Sequence, residues 1–166
     1  MRVRGFASTD KLTLRDCIFM PGCFDASIAL VGLSGIALRL DHVPALTAGV
    51  IKQLAARNGR LWCEAILDPA LPMVAERIAA IKAEAGHGFS VGGYMLGASR
   101  RPDGVILISH FFLSEISLTA NPGNPDCLLS YGEIWPDDLQ DTFDEQARRP
   151  PIKITLPPIR YHGEDL

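Results

Sequence analysis

Three side chains of complementary chemistry stand far apart in the chain. His42 lies in Leu40-Asp41-His42, Ser90 in Gly88-Phe89-Ser90-Val91-Gly92-Gly93-Tyr94, and Glu115 in Leu113-Ser114-Glu115-Ile116-Ser117-Leu118. A serine hydroxyl is a weak nucleophile at neutral pH. It needs a base to take its proton and a third group to hold that base in one tautomer. An imidazole can serve as the base, donating one N–H to a carboxylate while its other nitrogen accepts from the serine. The order along the chain is His, Ser, acid. Glu115 sits in an otherwise apolar run broken only by Ser114 and Ser117, where a carboxylate must face water or find a partner.

Two more histidines leave the assignment open. His110 follows Ser90 by 20 positions and is an alternative third member, and His87 precedes it by three. Neither the histidines nor the cysteines show the HExxH or CxxC spacing of a zinc site, so no metal and no cofactor are expected. Residues 88–92 match Gly-x-Ser-x-Gly, but in an α/β-hydrolase that pattern joins a strand to a following helix. Here a helical pattern precedes the serine and a strand pattern follows it. Alternating βαβ units are also missing.

The elements that must position these groups are mostly strands. Residues 26–31 and 35–40 read as short apolar strands. Residues 50–56 and 61–67 alternate in hydrophobicity around Asn58-Gly59, a hairpin turn signal. Leu61, Cys63, Ala65 and Leu67 share one face of the second arm, and Trp62, Glu64 and Ile66 share the other. Asp68-Pro69 opens a helical pattern over about 69–85, with Leu71, Val74, Ile78 and Ile81 at helical spacing and Gly86 as its stop. Residues 89–98 and 105–112 form a predicted hairpin about Arg101-Pro102-Asp103-Gly104, continued in extended form over 113–120. Asn121-Pro122-Gly123-Asn124-Pro125 breaks the pattern. The expected fold class is α+β, mainly β.

The chain has 166 residues, of which 48% are hydrophobic and 21% charged, enough for one domain with a sizeable core. Net charge is −3, which gives no broad footprint for nucleic acid. The charge is uneven: residues 1–60 hold eight Lys/Arg against four Asp/Glu, and residues 61–166 hold eight against fifteen. Seven acids and no base fall between positions 126 and 145. From residue 130 onward the chain is acidic and then proline-rich, and it reads as an extended arm. No apolar run is long enough to span a membrane, and no signal-peptide pattern opens the chain. Cys17, Cys23, Cys63 and Cys127 are therefore expected to be free thiols in a reducing compartment.

At the three chemical blocks the chain resembles the prohead (capsid-maturation) proteases of tailed phages, which are related in fold to the herpesvirus maturation proteases. Asp41-His42 is followed by Gly49-Val50 and the Asn58-Gly59 hairpin. Gly88 to Tyr94 resembles the family's Leu-Ser-(Ile/Val)-Gly-(Tyr/Phe) segment with one added glycine. Leu113-Ser114-Glu115-Ile116-Ser117-Leu118-Thr119-Ala120-Asn121-Pro122-Gly123-Asn124 is similar to the block Leu-x-Glu-Val-Ser-Leu-Val-Thr-x-Pro-Ala-Asn. Together these blocks cover about residues 38–127.

The resemblance implies a small, closed or nearly closed herpesvirus-protease-like β-barrel with few surrounding helices. It divides the chain into a protease domain over 1–129 and a C-terminal arm over 130–166. It implies a serine endopeptidase with His42 as base, Ser90 as nucleophile and Glu115 as third member. Herpesvirus relatives use a histidine in that last role, which keeps His110 open. The oxyanion donors are expected near Ser117, Leu118 and Thr119. The implied substrates are scaffold and capsid proteins and the protease itself, inside an immature capsid in the host bacterial cytoplasm. Self-association is a further expectation, with no nucleic-acid or membrane partner. The alternative is a catalytically inactive capsid-assembly or scaffold-associated relative of the same fold.

Overall fold

Arg57 pairs directly with Arg60 across a tight connection in which Gly59 takes a φ of 77°. That left-handed conformation is open to glycine at no steric cost, and it turns β4 (Thr47–Arg57) back into β5 (Arg60–Leu67). On β5, Leu61, Cys63, Ala65 and Leu67 are all fully buried, so the alternating pattern reads out as one face in the core. Burying a leucine side chain contributes about 1.5–3 kcal/mol. The computed structural model describes residues 1–57, 59–83 and 86–130. Apart from Ser130, the predicted C-terminal arm lies outside the described residues.

Around this hairpin the remaining strands complete a curled sheet. They are β1 (Arg2–Ser8), β2 (Cys17–Phe19), β3 (Ala37–Leu40), β6 (Gly88–Arg100), β7 (Ile106–Thr119) and β8 (Leu129–Ser130). The sheet order is β2-β7-β3-β4-β5-β1-β8, with β6 on the other side of β7. The two ends of the curl meet at residues 127–129. Gly88 of β6 bridges Leu128, and the N–H groups of Phe89 and Leu129 donate to the carbonyls of Cys127 and His87. The core between the sheet faces holds Val3, Leu38, Leu40, Leu54, Phe89, Leu113, Ile116 and Leu118. The fold is thus mainly β, as the sequence predicts.

The structure departs from the sequence reading in three places. The run at 26–31 is not a strand but helix α1 (Asp25–Val31), followed by a 3-10 turn. A short apolar run is compatible with either state. The tertiary contacts decide it: Ser27 Oγ accepts from the Leu113 N–H at 2.8 Å, and Phe24 joins a ring cluster with Phe19 and Phe111. The second helix, α2 (Pro72–Ala83), starts later than expected. Asp68 Oδ1 accepts from the Ala70 N–H at 3.0 Å, so this aspartate closes a turn before the helix instead of capping it. Finally, the predicted strand at 105–112 and its extension are one 14-residue strand, β7. All four cysteines are free. Among the described residues no helix is long and apolar enough to cross a membrane.

Candidate active site

Strand β7 organises the site. Glu115 and Ser117 are two positions apart and so project from the same face. On one side β6 runs antiparallel, with Ser90 paired to Ser117 and Gly92 to Glu115. On the other side β3 runs parallel, ending with Leu40 beside Leu118. One further bond, from the Asp41 N–H to the Leu118 carbonyl at 3.1 Å, extends that pairing. The chain then leaves the sheet through two consecutive left-handed residues, Asp41 at φ 47° and His42 at φ 61°. Aspartate and histidine are among the few side chains enriched in that region.

This turn brings His42 back over β7. Its N–H donates to Ser117 Oγ at 3.0 Å, and its ring Nδ1 meets Glu115 Oε1 at 2.5 Å. The Ser117 hydroxyl donates in turn to Glu115 Oε2 at 2.5 Å. Each carboxylate oxygen of Glu115 therefore has a donor, and Glu115 is only 7% exposed. With an acid on Nδ1, that nitrogen carries the proton and Nε2 is left to exchange one.

Ser90 is half-buried on β6, directly across from Ser117. Residues so paired hold their Cβ atoms about 4.5–5.5 Å apart. Ser90 thus stands next to the hydroxyl that ties His42 to Glu115. Among the described residues Ser90 Oγ makes no hydrogen bond, to His42 or to any other group.

Gly92 explains how so close an arrangement packs. A Cβ at this position would lie 1.7 Å from Glu115 Oε1 and 2.6 Å from its Cδ. The carboxylate occupies the space that any side chain at 92 would need. Gly92 thus has a steric role in the site.

A second network holds the turn from outside. Arg77 of α2 forms a two-pronged ion pair with the Asp41 carboxylate. Burial alone would raise the Asp41 pKa. Hydrogen bonds from Arg77 and Thr119, with the positive charge of Arg77, outweigh burial and hold the carboxyl below its ordinary value.

Other predicted residues fall elsewhere. His110 is exposed, and its Nδ1 meets the neighbouring Ser109 Oγ at 3.2 Å, so the structure brings Glu115 and not His110 to His42. His87 is buried with no partner for its Nδ1 among the described residues. Ser117, Leu118 and Thr119, expected from the resemblance near the oxyanion, lie on β7 between its two neighbours. All three lie in the interior of the sheet, where β7 is laddered to β6 on one edge and to β3 and Asp41 on the other. Their backbone groups belong to that pairing, and the Ser117 hydroxyl serves His42 and Glu115.

Another backbone segment, at Gly123, lies beside Ser90. A Cβ placed on Gly123 would stand 3.7 Å from Ser90 Oγ. The loop carrying Gly123 is anchored by Asn124, whose side-chain amide donates to Thr9 Oγ1 at 2.8 Å, and by the Leu14 N–H on the Gly123 carbonyl. Among the described residues the N–H groups of Gly123 and Asn124 have no hydrogen-bond partner. In the sequence this loop is legible only as the break at Asn121-Pro122-Gly123-Asn124. Nothing there indicates that it folds back to the serine.

The arrangement places a histidine, held through Nδ1 by a buried carboxylate, in the same strand neighbourhood as a half-buried serine. Among the described residues no group of three or more His, Cys, Asp or Glu side chains gathers as a metal site. No protein-family model and no curated protein matches the chain. Among solved structures, the protease of the herpesvirus KSHV, in complex with a hexapeptide phosphonate inhibitor, has a similar fold. The TM-score is 0.52 at 19% sequence identity, over 80% of this chain and 65% of that one. The chain thus spans about two-thirds of the length of that protease, and the likeness is one of fold.

Proposed function

We propose that this chain is a serine endopeptidase that processes capsid and scaffold proteins, and itself, during prohead maturation. The carrying observation is the joined set His42, Glu115 and Ser117 with Ser90 paired directly across from Ser117. Ser90 Oγ attacks the scissile carbonyl carbon and its proton passes to His42 Nε2. Glu115 holds Nδ1–H and stabilises the imidazolium. The oxyanion accepts from the N–H groups of Gly123 and Asn124. The C–N bond then breaks, the amine leaves with the proton from His42, and water hydrolyses the acyl-Ser90.

Strand β6 also supports a polypeptide substrate. Beyond Gly88 and Phe89 it pairs only with β7 among the described residues. Its other edge can therefore take an extended segment as an added strand. Tyr94, Met95 and Leu96, at 67%, 53% and 70% exposure, lie on that strand. Flexible scaffold segments and capsid-protein arms are extended polypeptides of the kind such an edge accepts.

The absence of a Ser90–His42 hydrogen bond favours one alternative, an inactive assembly factor of the same fold. The two readings separate in one experiment. The protein is treated with an aryl phosphonate probe and co-expressed with a capsid precursor, each beside Ser90→Ala. The protease reading requires a mass increase located at Ser90 and precursor cleavage lost in the variant. An unlabelled serine and an uncut precursor would establish the inactive relative.

A further inference from the structure

Arg39 takes no part in the network around His42, yet it lies on the same face of the sheet. Strand β3 runs parallel to β7, with Ala37 beside Glu115 and Arg39 beside Ser117. Laterally paired residues project to the same side of a sheet, and successive residues of a strand to opposite sides. Leu38 and Leu40 are accordingly in the core with Ile116 and Leu118. Arg39 therefore stands in one row with Ser117 and Ser90, on the outer side. Neighbouring strands are about 4.8 Å apart, so two strand spacings set Arg39 about 10 Å from Ser90. His42 stands over β7, the strand between them.

The charge of Arg39 is not used by the chain around it. The residue is half-buried and makes no hydrogen bond or ion pair among the described residues. The two acids of the site are already engaged, Glu115 by His42 and Ser117, and Asp41 by Arg77. Partial burial weakens the hydration of a cation, and no protein group offsets that loss here. A guanidinium is also the side chain best shaped to grip a carboxylate through two parallel N–H bonds.

An aliphatic groove adjoins this cation. Between the 3-10 turn (Leu33–Gly35) and strands β3 and β4 lies a cavity of about 420 Å³, whose lining includes Leu33, Ala37, Thr47 and Val50. Strand register joins it to the site, because Ala37 is the neighbour of Glu115 and Thr47 is the partner of Arg39. Leu33 and Val50 are 37% and 52% exposed, so the aliphatic wall is open to a ligand from solvent.

The chemistry at Ser90 decides which part of a polypeptide reaches this place. His42 gives its proton to the departing amine, so the segment that leaves as the amine passes on the His42 side of Ser90. Arg39 and the groove lie beyond His42 on that side.

We propose that Arg39 and the groove beside it recognise the segment that follows the cut bond. Arg39 takes an Asp or Glu side chain about three residues beyond the cut, at about 3.3 Å per extended residue. The groove takes the aliphatic side chain that comes next. This site rests on the protease reading and adds a selection rule to it.

The test incubates the full chain with a library of peptides cut from a whole proteome, beside Ser90→Ala. New ends are identified by mass spectrometry. Around the third residue after the cut, Asp and Glu should be enriched about fivefold over the library, the worth of one partly exposed ion pair. Arg39→Gln should return that position to background. Arg39→Glu should enrich Lys and Arg there instead, a reversal that loss of packing alone does not produce. Leu33→Asp should abolish the aliphatic preference at the next position and keep the acidic one. Thermal melts show that each variant is folded. Ser90-dependent cutting without acidic enrichment would overturn the proposal and leave the protease reading standing. So would acidic enrichment that persists in a folded Arg39→Glu. If Arg39→Glu fails to fold, Arg39→Gln decides, since unchanged enrichment there refutes the proposal equally. A protein that a phosphonate labels at Ser90 but that cuts no library peptide also overturns it, because the library holds the short acidic-aliphatic sequences that should suffice. Neither cutting nor labelling would remove the protease reading and the proposal together.

Discussion

Replacing Gly92 by alanine tests the geometry of the site most directly. The new Cβ would fall 1.7 Å from Glu115 Oε1 and 2.9 Å from Glu115 Cγ. Neither approach can be tolerated, so the carboxylate or the strand must move. Glu115 is held by two bonds of 2.5 Å, one to His42 Nδ1 and one to the Ser117 hydroxyl. A displacement of about an ångström breaks at least one of them. Losing the acid's hold on the histidine of a triad costs on the order of 10⁴ in turnover. Incomplete displacement makes about 10³ the working expectation, equivalent to about 4 kcal/mol of barrier. The assay is the rate of phosphonate labelling at Ser90, read by intact mass, which needs no known substrate. The fold should survive at a cost of about 1–3 kcal/mol, the usual penalty for a buried polar group left poorly satisfied. A double-mutant cycle makes the test strict. In Glu115→Ala the obstruction is gone, so adding Gly92→Ala should slow labelling no further. A folded Gly92→Ala protein labelled within threefold of the parent rate would refute the reasoning. Independent, additive effects of the two substitutions would refute it equally.

Three other outcomes follow from the same contacts. Ser117→Ala removes the hydroxyl that accepts from the His42 N–H and donates to Glu115; labelling should slow about 10- to 100-fold with about 1–2 kcal/mol lost in denaturant unfolding, and Ser117→Thr should recover part of the rate. Asp41 has its pKa lowered in the folded protein, so its pair with Arg77 contributes above the unfolded carboxylate value and is lost as pH falls through the lower folded one; the melting-temperature gap between the parent and Arg77→Ala should be full at neutral pH and close below about pH 4. Burial pushes the Cys23 and Cys127 thiols up to about 12 and the Cys63 thiol higher still; a disulfide reagent should modify these three only at the rate of unfolding, as thiol release measured with and without denaturant would show.

The sequence by itself determined the local elements with strong periodicity and the types of residue available for chemistry. The β4–β5 hairpin is written in Asn58-Gly59 and in the alternation from Leu61 to Leu67. Helix α2 follows from Val74, Ile78 and Ile81. His42, Ser90 and Glu115 stand out because each is a reactive group set in a mostly apolar context. Tertiary structure decided everything that depends on residues distant in the chain. Residues 26–31 become a helix because β7 offers Ser27 a backbone partner and Phe19 and Phe111 enclose Phe24, contacts that no local window contains. Glu115 rather than His110 meets His42 because the parallel register of β3 on β7 delivers the Asp41-His42 turn to that height. Gly92 looks like slack beside Gly93 until the antiparallel register sets it opposite Glu115. The Gly123 loop, which reads only as a break, comes to lie beside Ser90 because Asn124 is tied to Thr9. Periodicity is a property of a few neighbouring residues. A site is a property of strand register, and register is set by how the whole curled sheet closes on its core.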